Sequence, residues 1–148
     1  MTNLDLAAGL FRQAEARFKH LGLAIKDGNY AYAVRLAQEC VELSLKALLL
    51  SAGVEPPKWH DVGKILRDHA SQFPSLTGEQ VKELAYISAR LRADRERSMY
   101  GDEETGIPAD QLYTDYDAAV AAEWAGKVQD LCRVLLKGYR WGGTGGAG

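Results

Sequence analysis

The stretch from Tyr30 to Ala52 reads YAYAVRLAQECVELSLKALLLSA, and no other segment limits the fold so tightly. Wound as a helix, Ala33, Val34, Ala37, Val41, Ser44, Leu45 and Leu48 make one apolar stripe, and Leu36, Cys40, Leu43, Ala47 and Leu50 make a second. Only Arg35, Gln38, Glu39, Glu42 and Lys46 are left as a narrow polar strip, with Glu42 and Lys46 at the spacing of an i, i+4 ion pair. A helix that is apolar around most of its circumference must be surrounded, either at the centre of a bundle or in a subunit interface. Gly53 ends it, and Glu55-Pro56-Pro57 forbids its continuation.

Apolar spacing of three and four recurs through the rest of the chain without sustained alternation, so the fold class is all-α. A first helix is predicted over Leu4–Lys26, with Ala7, Phe11, Ala14, Phe18, Leu21 and Ile25 on one face and Thr2 with Asp5 as a capping pair. After Pro57 the stretch KWHDVGKIL restarts the chain: Asp61 is placed to accept from the open amides of a short third helix that Pro74 terminates. Thr77 and Gln80 form a capping box for a fourth helix reaching Met99. The aperiodic, acidic run Tyr100–Thr114 reads as a loop, and Thr114 with Asp117 opens a last helix whose face carries Ala121, Trp124, Ala125, Val128 and Cys132. The expected architecture is an antiparallel up-and-down bundle of about five helices, spanning residues 1–140, with 141–148 (WGGTGGAG) as a flexible tail too glycine-rich to repay its ordering entropy. At 148 residues and 47% hydrophobic content, one domain can bury its core without disulfides or a metal.

Charge and composition exclude several functions. A net charge of −2 argues against a strongly basic nucleic-acid coat. The longest apolar run, Ala47–Leu50, is far below membrane-spanning length, and the N-terminal stretch lacks a signal-peptide pattern, so a cytoplasmic protein that avoids membranes is expected. Cys40 and Cys132 lie far apart and His69 has no second ligand at metal spacing; buried free thiols, no metal and no cofactor are expected.

The fourth helix carries the most informative pattern. Its inward face runs Leu84, Ile87, Leu91 and then turns polar at Asp94, Arg95 and Ser98, flanked by Arg90, Arg92 and Arg97 and followed by Tyr100. Ionisable groups on a core-facing line are costly unless paired or hydrated. Two readings follow: a structural Asp94–Arg95 ion pair, or a polar pocket in which Arg92, Arg95 and Tyr100, with Asp94 and His60 nearby, bind phosphate and base. In the second, Arg95 is fixed inside the pocket and Arg90 lies outside it.

Two segments carry a family likeness. AYAVRLAQECVELSLKALLLSAGVEPPKWHDVGKIL (Ala31–Leu66) resembles the signature region of the HEPN (higher eukaryotes and prokaryotes nucleotide-binding) domain, and RERSMYGDEETGIPADQLYTDYDAAVAAEWAGKV (Arg95–Val128) is similar to its later part. The resemblance implies a HEPN-like bundle, a homodimer and a nucleotide or protein partner, such as a minimal nucleotidyltransferase of a toxin–antitoxin pair. HEPN ribonucleases carry an Arg followed after four to six residues by His at this helix end; here Arg95 is followed over that window by Tyr100, Gly101 and Asp102, and Arg97 by Asp102, Glu103 and Glu104. The histidine that would titrate near neutrality is missing. The leading expectation is therefore a non-catalytic nucleotide- or partner-binding homodimer. The alternatives are a metal-independent ribonuclease with a substituted site (Arg95, Tyr100, His60) and a DNA-binding accessory, which the net charge disfavours.

Overall fold

The computed structural model describes residues 3–55, 58 and 61–136. Among these, seven helices follow in chain order: α1 (Asn3–Lys26), α2 (Tyr30–Ser51), α3 (Val62–Asp68), α4 (Gly78–Ala93), α5 (Arg97–Tyr100), α6 (Ala109–Leu112) and α7 (Asp115–Leu136), with a 3-10 turn at Ala70–Gln72. Among the described residues no strand forms; one isolated bridge joins Asp102 to Ile107. The bundle is built around α2, which packs chiefly on α1 and α7 and also meets α3, α4, α5 and α6. Its first apolar stripe is covered within one chain, with Ala33, Val34, Ala37, Val41, Ser44, Leu45 and Leu48 all buried; on the second, Leu36, Cys40 and Ala47 are buried and Leu43 and Leu50 half-buried. Of the two settings such a helix allows, the centre of the bundle is the one realised.

The helix boundaries follow local chemistry. Gly53, at φ +79°, ends α2 in a Schellman turn: its N–H donates to the Leu50 carbonyl (3.0 Å) and that of Val54 to the Leu49 carbonyl (2.9 Å). Asp61 caps α3 as expected, its Oδ1 accepting from the Gly63 N–H at 2.9 Å, and the Thr77–Gln80 capping box of α4 is complete at 2.9 and 3.1 Å. At α7 the roles reverse, for Thr114 donates its N–H (2.8 Å) and hydroxyl (3.2 Å) to the Asp117 carboxylate. The Glu42–Lys46 pair forms at 3.7 Å. Thr2, His60 and the tail from Trp141 lie outside the described residues.

Two expectations on the fourth helix are corrected. It does not reach Met99: α4 stops at Ala93, Asp94 and Arg95 close a tight turn on the Leu91 and Arg92 carbonyls (3.0 and 3.1 Å), and the chain restarts as α5. The long loop in turn holds the short helix α6. The break is stabilised from outside the helix. Tyr113 donates its hydroxyl to Asp94 Oδ1 at 2.9 Å, while the Arg95 carbonyl accepts from Arg35 Nη1 (2.7 Å) and the Ser98 hydroxyl (3.2 Å). The periodic line therefore continues to Ser98, which is buried, but loses Arg95, which swings out to solvent. No Asp94–Arg95 pair forms, since Asp94 bonds Tyr113 instead.

Candidate functional site

The break between α4 and α5 shapes one wall of a groove of about 580 Å3. Tyr32 and Arg35 of α2 form its floor side, Met99 and Tyr100 of α5 one bank, and Pro108 with Asp110 of the following segment the other. Tyr100 is 66% exposed and Tyr32 47% exposed, so two aromatic rings stand open to a ligand. Gly101, at φ +84°, turns the chain at the end of α5; a Cβ there would come within 2.5 Å of the Ile107 carbonyl oxygen and 2.9 Å of the Ala109 nitrogen. The segment beyond is held by Asp102, whose Oδ1 accepts from the Glu104 and Thr105 amides at 3.1 and 3.3 Å. Those amide bonds, the Thr105 one first, hold the Asp102 carboxyl below its ordinary range.

Arg35, which helical periodicity places in the narrow polar strip of α2, lines the groove. Its side chain is only 16% exposed and is fixed at two points: Nε donates to Glu39 at 2.8 Å and Nη1 to the Arg95 carbonyl at 2.7 Å. Glu39 also takes Arg17 at 3.2 Å, so two guanidiniums share one carboxylate and the cluster keeps a net positive charge. Nη2 has no partner among the described residues. A guanidinium so oriented can offer its remaining donors to an anion at little further ordering cost. The signal available beforehand was its place: an arginine in the only polar strip of a helix that must be central.

The expected site residues do not converge. Tyr100 lines the groove. Arg95 sits exposed beside it and touches the site through its carbonyl, which orients Arg35. Asp94 lines a separate depression of about 230 Å3 between α2, α4 and α7. Arg92 is half-buried beside a void of about 10 Å3 with Gln38, Glu42 and Ser88, and Gln38 Oε1 there is buried without a protein partner among the described residues. Arg90, expected to stay outside any pocket, lines the Asp94 depression and lies 6.0 Å from the Tyr86 ring centre. Arg97 pairs with Asp102 at 3.8 Å. His60 lies outside the described residues, and His69 closes α3 with its Nδ1 3.0 Å from the Ile65 carbonyl. Among the described residues no group of His, Cys, Asp and Glu could hold a metal ion. Cys40 and Cys132 are buried free thiols, each pushed up to about 12 by loss of hydration.

An all-α bundle with a two-striped central second helix and an arginine- and tyrosine-bearing break after its fourth defines a class of small helical-bundle domains. The HEPN domain model matches residues 7–135, and the chain belongs to that family. The fold is similar to the crystal structure of TT1696 from Thermus thermophilus, with a TM-score of 0.74 and 25% identity over 89% of this chain and 99% of that one. A comparison with curated proteins finds no match. No helix among the described residues is long and apolar enough to cross a membrane.

Proposed function

We propose that this HEPN protein is a non-catalytic homodimer that binds a nucleotide or a partner protein, such as a minimal nucleotidyltransferase, through the groove between α2 and α5. The observation that carries the reading is Arg35, a guanidinium fixed at 2.7 and 2.8 Å with donors to spare, beside the open rings of Tyr32 and Tyr100. Phosphate on a planar donor and a base stacked on an aromatic face is the division of labour this arrangement suits. Arg95 adds an exposed cation next to the same groove. The non-catalytic part rests on the residues after Arg95 and Arg97, where Tyr100, Gly101, Asp102, Glu103 and Glu104 occupy the positions a catalytic histidine would need. Asp102 is committed to its turn and to Arg97, which leaves it poorly placed as a base.

The test combines nucleotide binding with RNA cleavage on the purified protein. ATP and GTP titrated by calorimetry are expected to bind the wild type, and Arg35→Ala or Tyr100→Ala to bind at least about tenfold more weakly, the size expected for one charge-assisted or stacking contact. No metal-independent RNA cleavage is expected. Cleavage that survives repurification and disappears in Arg95→Ala would establish the ribonuclease instead. Unchanged binding in both Arg35→Ala and Tyr100→Ala would remove the groove from the function.

A further inference from the structure

The depression that Asp94 lines is a different site with a different chemistry. Its floor is apolar, made by the buried side chains Val34, Leu91 and Ala121. Three aromatic residues of the segment from Tyr113 onward stand around it: Tyr113, Tyr116 and Trp124. Trp124 is braced from behind by Tyr86, edge to face, with ring centres 6.0 Å apart and planes at 83°. Two carboxylates complete the wall, Asp94 and Asp117. Each is anchored by one oxygen only. Asp94 Oδ1 accepts from the Tyr113 hydroxyl at 2.9 Å, and Asp117 Oδ2 accepts from the Thr114 N–H and hydroxyl at 2.8 and 3.2 Å. The second oxygen of each has no partner among the described residues and is held in place by the first. Among the described lining residues Arg90 is the one cation, against the two carboxylates, so the wall carries a net negative charge.

The geometry points to a binding site for an organic cation, an ammonium or guanidinium head on a short apolar stem. Aromatic faces attract such a head through their quadrupoles, the free carboxylate oxygens accept its N–H groups or balance its charge, and the apolar floor takes the stem. A volume of about 230 Å3 admits a head group and a few carbons and excludes a whole nucleotide with its phosphates. An anion is disfavoured by carboxylates that keep a free oxygen, whereas in the Arg35 groove Glu39 is committed to Arg17 and Arg35. The same chemistry can be presented by a free amine or by a lysine or arginine side chain of a peptide.

The probes are choline, agmatine and the blocked residue acetyl-arginine amide, titrated into the full chain by calorimetry at low salt with 3,3-dimethylbutanol as the neutral counterpart of choline. A cation is expected to bind saturably and the neutral analogue not. Asp94→Asn, which keeps an oxygen for the Tyr113 hydroxyl, should weaken binding at least about tenfold, and Arg90→Ala should strengthen it by removing the competing cation. Tyr100→Ala, in the other groove, should leave it unchanged, so the outcome is independent of the nucleotide reading. Tighter binding of agmatine than of acetyl-arginine amide assigns the site to free amines, and the reverse assigns it to a peptide side chain. Absence of saturable binding up to about 10 mM, equal binding of the neutral analogue, or full binding by an Asp94→Asn variant of unchanged melting temperature overturns the proposal.

Discussion

Asp61 satisfies an amide at the start of α3 with one carboxylate oxygen, at 2.9 Å from the Gly63 nitrogen. Asp61→Ala leaves that amide to water and should cost about 1 kcal/mol, read as a lower melting temperature with nucleotide binding unchanged. A variant that keeps its melting temperature yet loses binding would make Asp61 a site residue. Tyr113 acts in the opposite sense, through a proton it keeps. Burial first, then its hydrogen bond to Asp94, raises its hydroxyl above the ordinary tyrosine value. The folded state therefore holds a proton that the unfolded state gives up above pH ~10. Tyr113 contributes its full stability below that pH and loses it as pH rises through the raised value. In an alkaline titration followed by tyrosinate absorbance, one tyrosine should ionise late, at or with unfolding, and Tyr113→Phe should remove that component. If all tyrosines of the wild type ionise together near pH ~10 without unfolding, the Asp94 bond does not hold the proton.

At the scale of elements, the short turn between α4 and α5 decides where the charges go. A continuous helix would have carried Arg95 inward with Leu84, Ile87 and Leu91; ending α4 at Ala93 sends it to solvent and turns its carbonyl toward Arg35. Gly101 then sets the other bank of the groove, because it combines a positive φ with contact too close for any Cβ. Gly101→Ala must move the Ile107–Ala109 backbone or the end of α5, and should cost about 2 kcal/mol or more. The matching functional readout is nucleotide affinity, expected to fall together with stability as Tyr100 and Pro108 shift apart. Wild-type stability and affinity in Gly101→Ala would mean that this turn does not shape the groove. The stretch KWHDVGKIL is, on its described part, a helix start: Val62, Gly63 and Leu66 are buried, and Gly63 lies where a Cβ would be 3.0 Å from the Ala85 backbone, so α3 and α4 approach closely.

For the whole molecule, α2 is largely covered within one chain, with only Leu43 and Leu50 half-buried, so the proposed dimer rests on a different face. Tyr32, Met99, Tyr100 and Ile107, all exposed, instead gather around the groove and its adjoining turn. Apolar groups concentrated beside a binding groove are better suited to an interface than to solvent, and a second copy across this end would place two grooves together. Sedimentation at micromolar concentration should show about twice the 16.2 kDa of the chain, and Met99→Lys should shift the protein toward monomer by burying an unpaired charge. A single species of monomer mass in the wild type sinks the dimer. With a net charge of −2, any nucleic-acid binding should be confined to the Arg35 groove and weaken only shallowly with salt, with the slope of about one or two phosphate contacts.

Helix content, the two apolar stripes of α2, the Asp61 cap and the Thr77–Gln80 box were all legible in the sequence, because each depends on residues within a turn or two of one another and on a periodicity that burial rewards directly; whether α2 took the bundle centre or a subunit interface was not, since both surround it alike. The family was legible too, from Ala31–Leu66 and Arg95–Val128. The candidate groove was legible only in part: Tyr100 could be placed at a helix end, but Arg35, which lines the groove with it, stands 65 positions away in sequence (100 − 35) and is oriented by the Arg95 carbonyl beyond the end of α4. Tyr113 braces the break after α4 by reaching Asp94 from 19 positions on. Helical periodicity extrapolates along one element and has no term for a hydroxyl arriving from another. Tertiary contact alone decided which way Arg95 points, and so divided one expected cluster into a groove with an oriented guanidinium and an acidic, aromatic depression.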